Sequence, residues 1–276
     1  MLHAMKTRTS DTTTDEMLLA EALAGNKQAL ENLLKRYQDY IFNISLRLFA
    51  HPDDALDATQ EVLIKIVTHL KTFNGKSQFK TWLFRIAVNH FLNTPRKKVE
   101  QFFDHRAPDN PLLDIADAPG ETYEEALVEE VRLACSMAML MCLNRDQRLI
   151  YIIGEIFGAE HQLGAELFGL STANYRVRLH RARTDLLNYI AGRCGLVDPK
   201  NSCRCYKKTG AMIQKGFVDR EKLVFNAEYT QKIHEIIATQ RDAVSDDIKF
   251  RMTELFVDAP FQVKQELDDV LEGLLR

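Results

Sequence analysis

Apolar residues return every three or four positions along most of this 276-residue chain, and no stretch alternates apolar with polar as a half-buried strand would. Leu30, Leu33, Leu34, Tyr37, Ile41, Ile44 and Leu48 carry the pattern furthest and predict one long amphipathic helix. Similar stripes predict a helix from Asp15 towards Gly25, another after the turn at His51–Asp54, and a third over FKTWLFRIAVNHFLN, ended by Pro95. Beyond residue 123 the helices resume with EEALVEEVRLACSMAMLMCL, RDQRLIYIIGEIFG, HQLGAELF and TANYRVRLHRARTDLLNYI, and amphipathic stretches continue to Arg276. The fold class is all-α, with no internal repeat.

The length accommodates two or three compact units. Polar, Thr-rich residues 1–14 predict a flexible tail and 15–98 a first helical domain. Residues 99–123, rich in proline and without periodicity, predict an acidic linker, 124–192 a second helical domain, and 193–276 a Cys-containing helical extension. No apolar run reaches the roughly 18 residues that a membrane span needs. The N-terminus has no apolar core behind its basic residues, which predicts a cytoplasmic protein without membrane insertion. Its five cysteines are then expected as reduced thiols or metal ligands.

The net charge of −3 hides a strong segregation. Between Val62 and Lys98 there are eight Lys or Arg and no Asp or Glu, whereas Val99–Tyr123 carries six acids against one Arg. The acid-free block is long enough to favour a polyanionic partner over a merely solvated helix face.

A second signal lies in the short helix HQLGAELF, the Gly169-Leu170-Ser171 turn and the helix after it, the order of a helix-turn-helix. At 100° per residue Tyr175, Leu179, Ala182 and Leu186 share one inward stripe. Arg176, Val177, His180 and Arg181 then face outward, with Arg178 and Arg183 on the flanks in reach of phosphates, and Asn174 near the helix start. Ser171 suits the N-cap and would turn the helix's positive end towards a phosphate backbone. Arginine is the side chain best suited to bidentate contacts with guanine edges, so this face is read as DNA-binding.

Two blocks together resemble the sigma-70 family in its small extracytoplasmic-function (ECF) group. DDALDATQEVLIKIVTHLKTFNGKSQFKTWLFRIAVNHFLNTPRK, from Asp53, resembles the family's second conserved region, and LNRDQRLIYIIGEIFGAEHQLGAELFGLSTANYRVRLHRARTDLL, from Leu143, its fourth. The resemblance implies an RNA polymerase sigma factor, not an enzyme, that binds core polymerase and initiates transcription at promoter DNA. It implies docking on the clamp helices of the β′ subunit through Asp54, Asp57, Gln60 and Glu61. It implies reading and melting of the −10 element through Phe73, Lys76, Ser77, Phe79, Lys80, Trp82, Arg85 and Asn89. Rings beside cations can stack and hold an exposed strand, and a loop pocket can take a flipped base. Phe79 and Trp82 are open to a second reading, as core supports of that loop. Reading of the −35 element falls to the Ser171–Arg183 face. One departure is Leu163-Gly164, where the family carries an acid and a β-branched apolar residue; it predicts a different packing of the two helices.

The extension resembles a Cys-containing addition in a subset of these factors. Cys194, Cys203 and Cys205, among Arg204, Lys207 and Lys208, are read either as a zinc or redox site or as structural thiols, with His180 and His234 the available further ligands. Cys135 and Cys142 lie on an apolar helix face and are expected in the core. The acidic extension is also a candidate restraint on the arginine face, alongside an anti-sigma protein. Two other readings remain at this stage: a helix-turn-helix regulator acting without core polymerase, and a metal- or thiol-sensing adaptor. No P-loop, nucleophile elbow or HExxH occurs, and His234-Glu235 lacks the second histidine.

Overall fold

In a computed structural model the residues described are 14–102, 122–221, 223 and 264–275. Residues 1–13 of the expected tail, 103–121 of the linker, and Ile233, His234, Ile236, Ile237, Leu255, Phe256, Phe261 and Val263 of the extension lie outside them. The described helices are α1 (Asp15–Leu23), α2 (Lys27–Phe49), α3 (Pro52–His69), α4 (Phe79–Asn93), α5 (Lys98–Phe102), α6 (Glu125–Met139), α7 (Arg145–Tyr151), α8 (His161–Leu167), α9 (Thr172–Ala191), α10 (Cys205–Gln214) and α11 (Lys264–Leu275). No strand occurs among the described residues.

Local chemistry explains several of these boundaries. The Thr14 hydroxyl caps α1 by accepting from the Met17 N–H, and the Asn26 side-chain Oδ1 caps α2 by accepting from the Ala29 N–H. Pro52 opens α3, with Asp53 and Asp54 in its first turn, where the helix dipole favours carboxylates. Helix α4 ends at Asn93, two residues before Pro95.

The chain forms two compact units. Of the described residues, the first comprises 14–97, 152–178 and 264–275. In it α2 pairs with α3, α1 lies along α2, and α4 packs on α3. Leu33, Leu34, Ile41, Leu48, Phe49, Leu63, Ile66 and Phe91 are fully enclosed, and a fully buried side chain of this kind contributes about 1.5–3 kcal/mol. Helix α11 adds to the same bundle, seating Leu267 and Leu271 against α2 and α3. Gln38 Nε2 donates to Asp268 Oδ1 at 2.8 Å, and Lys27 Nζ to the Leu275 carbonyl at 2.7 Å.

The second unit comprises the described residues 98–102, 122–151, 179–221 and 223. Here α10 packs on α6, and the later part of α9 buries Leu179, Ala182, Leu186 and Ile190. Glu100 of α5 is buried and accepts from both Arg145 and Arg148 of α7.

Three features depart from the expected layout. The stretch expected as linker begins as a helix, because Glu100 is held by two arginines far along the chain. The stretch expected as one helix over 145–158 turns into a π-helix at Ile152–Ile156; its wider turn ends at Phe157, whose backbone N–H reaches the Ile152 carbonyl. Finally, the expected 124–192 domain does not close on itself. Residues 152–178 pack into the first unit, where the Phe157 ring meets Tyr40 edge-on and lies under the Arg47 guanidinium, 5.5 Å from the ring centre.

Candidate nucleic-acid interface

The first surface surrounds the loop between α3 and α4. Gly75 turns it with a φ of 71°, a conformation that favours glycine. Lys76 is exposed at its tip, and Ser77 and Lys80 are half-buried beside it. Beneath lies an aromatic cluster: Phe73, Phe79 and Trp82 have their ring centres 5.7 Å apart pairwise, and Phe79 also meets Tyr37 at 6.1 Å. At 6 % exposure Phe79 is a support of the loop rather than an open stacking platform, which corrects its place among the strand-contacting residues. Phe73 and Trp82 keep partial exposure, so each can both support the loop and present an edge.

A cleft of about 500 Å³ opens at this loop, lined by Phe73, Ser77, Gln78, Phe79 and Lys80 together with Asp15, Glu16 and Tyr37. Asp15 accepts from the Tyr37 hydroxyl and from Arg36 Nη1, the latter at 2.7 Å. Burial and the Asp15 carboxylate push the Tyr37 hydroxyl well above its usual range, so it remains a proton donor. Burial likewise lowers Lys80, with Asp15 opposing. The cleft thus combines rings, a fixed carboxylate, a hydroxyl and a partly desolvated lysine, a set able to enclose a flat, hydrogen-bonding ring. Asp15 and Tyr37 were not legible as site residues: one starts a helix, the other fits an apolar stripe, and they meet across 22 residues.

Along α4, Asn89 is exposed. Arg85 is half-exposed and donates to Glu166 of α8 at 2.8 Å. On α3, Asp57, Gln60 and Glu61 are exposed, and Asp54 faces Lys97 at 3.3 Å. His90, behind Glu61, is held below its usual value by burial and then by Lys65, with Glu61 opposing. Its ring Nδ1 lies 2.8 Å from the Lys65 ammonium. The 3.6 Å approach of Glu61 to a neutral ring is therefore not an ion pair at pH 7.

The second surface is α9. Ser171 caps it, its hydroxyl accepting from the Asn174 N–H at 3.3 Å. Tyr175, Leu179, Ala182 and Leu186 are buried as the helical spacing requires, while Asn174, Arg176, Val177 (50 % exposed), Arg178, His180 and Arg181 are exposed. Arg183 is half-buried. Arg176 Nε donates to His161 Nδ1 at 3.2 Å. Gly164 now has a physical account: a Cβ there would overlap the Tyr175 ring, so the glycine lets α8 and α9 approach.

The cysteines depart from expectation. Asn201 Nδ2 donates to the Cys194 carbonyl and Arg204 Nη1 to the Cys203 carbonyl, which folds the loop so that Cys194, Cys203 and Cys205 approach Cys135. Yet among the described residues no group of three or more His, Cys, Asp or Glu is arranged to hold a metal ion. Burial pushes the Cys194 thiol up and Cys205 to about 12, because desolvation outweighs the nearby cations. Burial also raises Cys135 and takes Cys142 to about 12, though each residue keeps some exposure.

Residues 33–100, which hold α3, the loop and α4, match the family profile of sigma-70 region 2. The sigma factor YlaC of Bacillus subtilis is 28 % identical over 162 residues, which cover 58 % of this chain and 91 % of that protein. The ECF sigma-E factor of Escherichia coli K12 is 26 % identical over 194 residues, covering 66 % and 96 %. Residues 33–100 of the chain are thus a sigma-70 region 2. About a third of the chain has no counterpart in the sigma-E factor. Among solved structures, CnrH in complex with the cytosolic domain of CnrY is similar over 64 % of this chain and 97 % of that one, at 22 % identity and a TM-score of 0.48. No described helix is long and apolar enough to cross a membrane.

Proposed function

We infer that the chain works as an ECF-type RNA polymerase sigma factor: it binds core polymerase, recognises the −35 and −10 promoter elements and starts transcription. The observation that carries this is the region 2 match over residues 33–100, which contains the basic loop, its aromatic support and its cleft. A duplex-binding regulator has no need of such an element, which disfavours that alternative.

In this reading residues 15–98 dock on the polymerase and act on the −10 element, and 124–192 supply the −35 contacts. The exposed Asp57, Gln60 and Glu61, with Asp54, meet the β′ clamp helices. Lys76, Ser77, Lys80, Arg85 and Asn89 hold the separated non-template strand, and the cleft at Phe73 takes one unstacked base. Arg176, Val177, His180 and Arg181 read base edges in the −35 major groove, while Arg178 and Arg183 hold its phosphates. The protein is not an enzyme and acts in the cytoplasm, where an anti-sigma protein is a fitting partner. In vitro transcription with purified core polymerase and a genomic fragment library tests this. New transcripts that depend on the added chain are expected, and their absence would refute the reading.

A further inference from the structure

The loop between α9 and α10 is held by polar contacts of its own. Asn201 Nδ2 donates to the carbonyls of Ala191 and Cys194, at 2.8 and 3.1 Å, and so clasps the end of α9. The Arg204 guanidinium donates to the carbonyls of Pro199, Asn201 and Cys203. Gly195 leaves no room for a side chain, since a Cβ there would stand 2.1 Å from the Cys203 carbonyl oxygen. The backbone next to Cys194 therefore lies directly on the backbone at Cys203. Backbones in such contact suit a disulfide, which needs Cα atoms about 4.4–6.8 Å apart. The two thiols are also near enough for Cys203 to disfavour charge on Cys194. They differ in access: Cys194 is buried, whereas Cys203 is half-buried and within reach of a small oxidant. The Cys194 sulfur accepts from the backbone N–H groups of Leu196 and Val197, donors that favour negative charge on it. Thiols kept only for packing need no such donors.

We propose that Cys194 and Cys203 form a dithiol that a peroxide converts reversibly into a disulfide, Cys203 reacting first and Cys194 closing the bridge. In the first step the Cys203 sulfur takes one peroxide oxygen and becomes a sulfenic acid, while the O–O bond breaks and the other half leaves as water or an alcohol. In the second, the Cys194 sulfur attacks the sulfenic sulfur. The S–S bond forms, the S–O bond breaks, and the hydroxyl leaves as water with the Cys194 proton. Two thiols thus lose two electrons and the peroxide gains them. The Leu196 and Val197 N–H groups steady the charge that develops on Cys194 during the attack. Cys205 is the poorer partner, because burial holds its thiol protonated up to about 12. A reversible bridge also fits a cytoplasmic chain, where disulfides are transient and redox-sensing. This inference stands on the second unit alone and does not depend on the promoter roles above.

The test exposes the full chain, reduced and treated with a metal chelator, to hydrogen peroxide, then alkylates it and cleaves it with trypsin without reduction. The chain is expected to lose two of its five free thiols and to yield the fragment 194–200 joined to 201–204, and dithiothreitol should restore all five. Cys194→Ser is expected to abolish the bridge and leave Cys203 as a sulfenic acid that dimedone traps. Cys205→Ser is expected to keep the bridge. Five thiols surviving a dose that oxidises free cysteine in the same tube would overturn the proposal. So would a bridge that maps to fragment 205–207 or to Cys135. Stoichiometric zinc in chain purified without chelator, lost in Cys194→Ser, would assign the thiols to a metal and overturn it as well. A failed sigma reading would show itself separately, as no transcription from core polymerase with reduced chain.

Discussion

Glu100 draws Arg145 and Arg148 into a site where none of the three keeps much contact with water. Burial pulls the Arg148 guanidinium down to about 10 even with Glu100 beside it, which measures how strongly the site penalises charge. Glu100→Ala leaves Arg148 buried without its counter-charge. The expected loss is about 3–5 kcal/mol of stability, read from the urea midpoint, and a loss below about 1 kcal/mol would contradict the account. His90 yields a pH prediction. Its folded pKa lies below the unfolded value of 6.5, so the unfolded chain takes up a proton first as pH falls. Its contribution is fully present above 6.5 and is lost on acidification through the folded pKa. Thermal melts between pH 7 and 5 should show a shallower decline for His90→Gln than for wild type. Neither site was legible in the sequence, since Glu100 stood in an acidic linker stretch and His90 in a basic helix, and the partners of each lie tens of residues away.

At the scale of elements, the helix-turn-helix depends on a missing Cβ. Ala is the better helix former by about 1 kcal/mol, yet Gly164→Ala would drive a methyl group into the Tyr175 ring. Overpacking of this kind costs about 1–3 kcal/mol, so the variant is expected to be less stable despite its better propensity, with a lower melting temperature as the readout. The departure from the family pattern at Gly164 was visible in the sequence; that Tyr175 fills the space was not. On α9 the helical spacing predicted both faces correctly, because burial of Tyr175, Leu179, Ala182 and Leu186 needs only one helix and one apolar side. Two substitutions separate its roles. Arg181→Ala is expected to cost about 1–3 kcal/mol at a cognate −35 duplex and to relax preference at one base position. Arg178→Ala should weaken all duplexes alike and lower the salt dependence by about one counterion. Equal behaviour of the two variants would undo that division.

For the whole molecule, the notable addition is α11, which brings the chain's end back onto the bundle that holds the region 2 match. Leu267 and Leu271 are fully enclosed there, although about a third of this chain has no counterpart in the sigma-E factor. Leu271→Ala is expected to destabilise by about 2–5 kcal/mol, and calorimetry should place the loss in the unfolding of the first unit. A silent substitution would mean that α11 is only loosely held. The sequence by itself determined that the protein is all-α, where most helices begin and end, which face of α9 is apolar, and which block carries unbalanced positive charge. Each of these follows from neighbours along one helix, at spacings of three, four or seven residues. Only the tertiary structure decided that Asp15 reaches the loop cleft, that Glu100 is buried, that burial raises the Cys194 and Cys205 thiols, and that residues 152–178 join the first unit. Those outcomes depend on desolvation and on contacts between distant segments, which periodicity and composition do not encode.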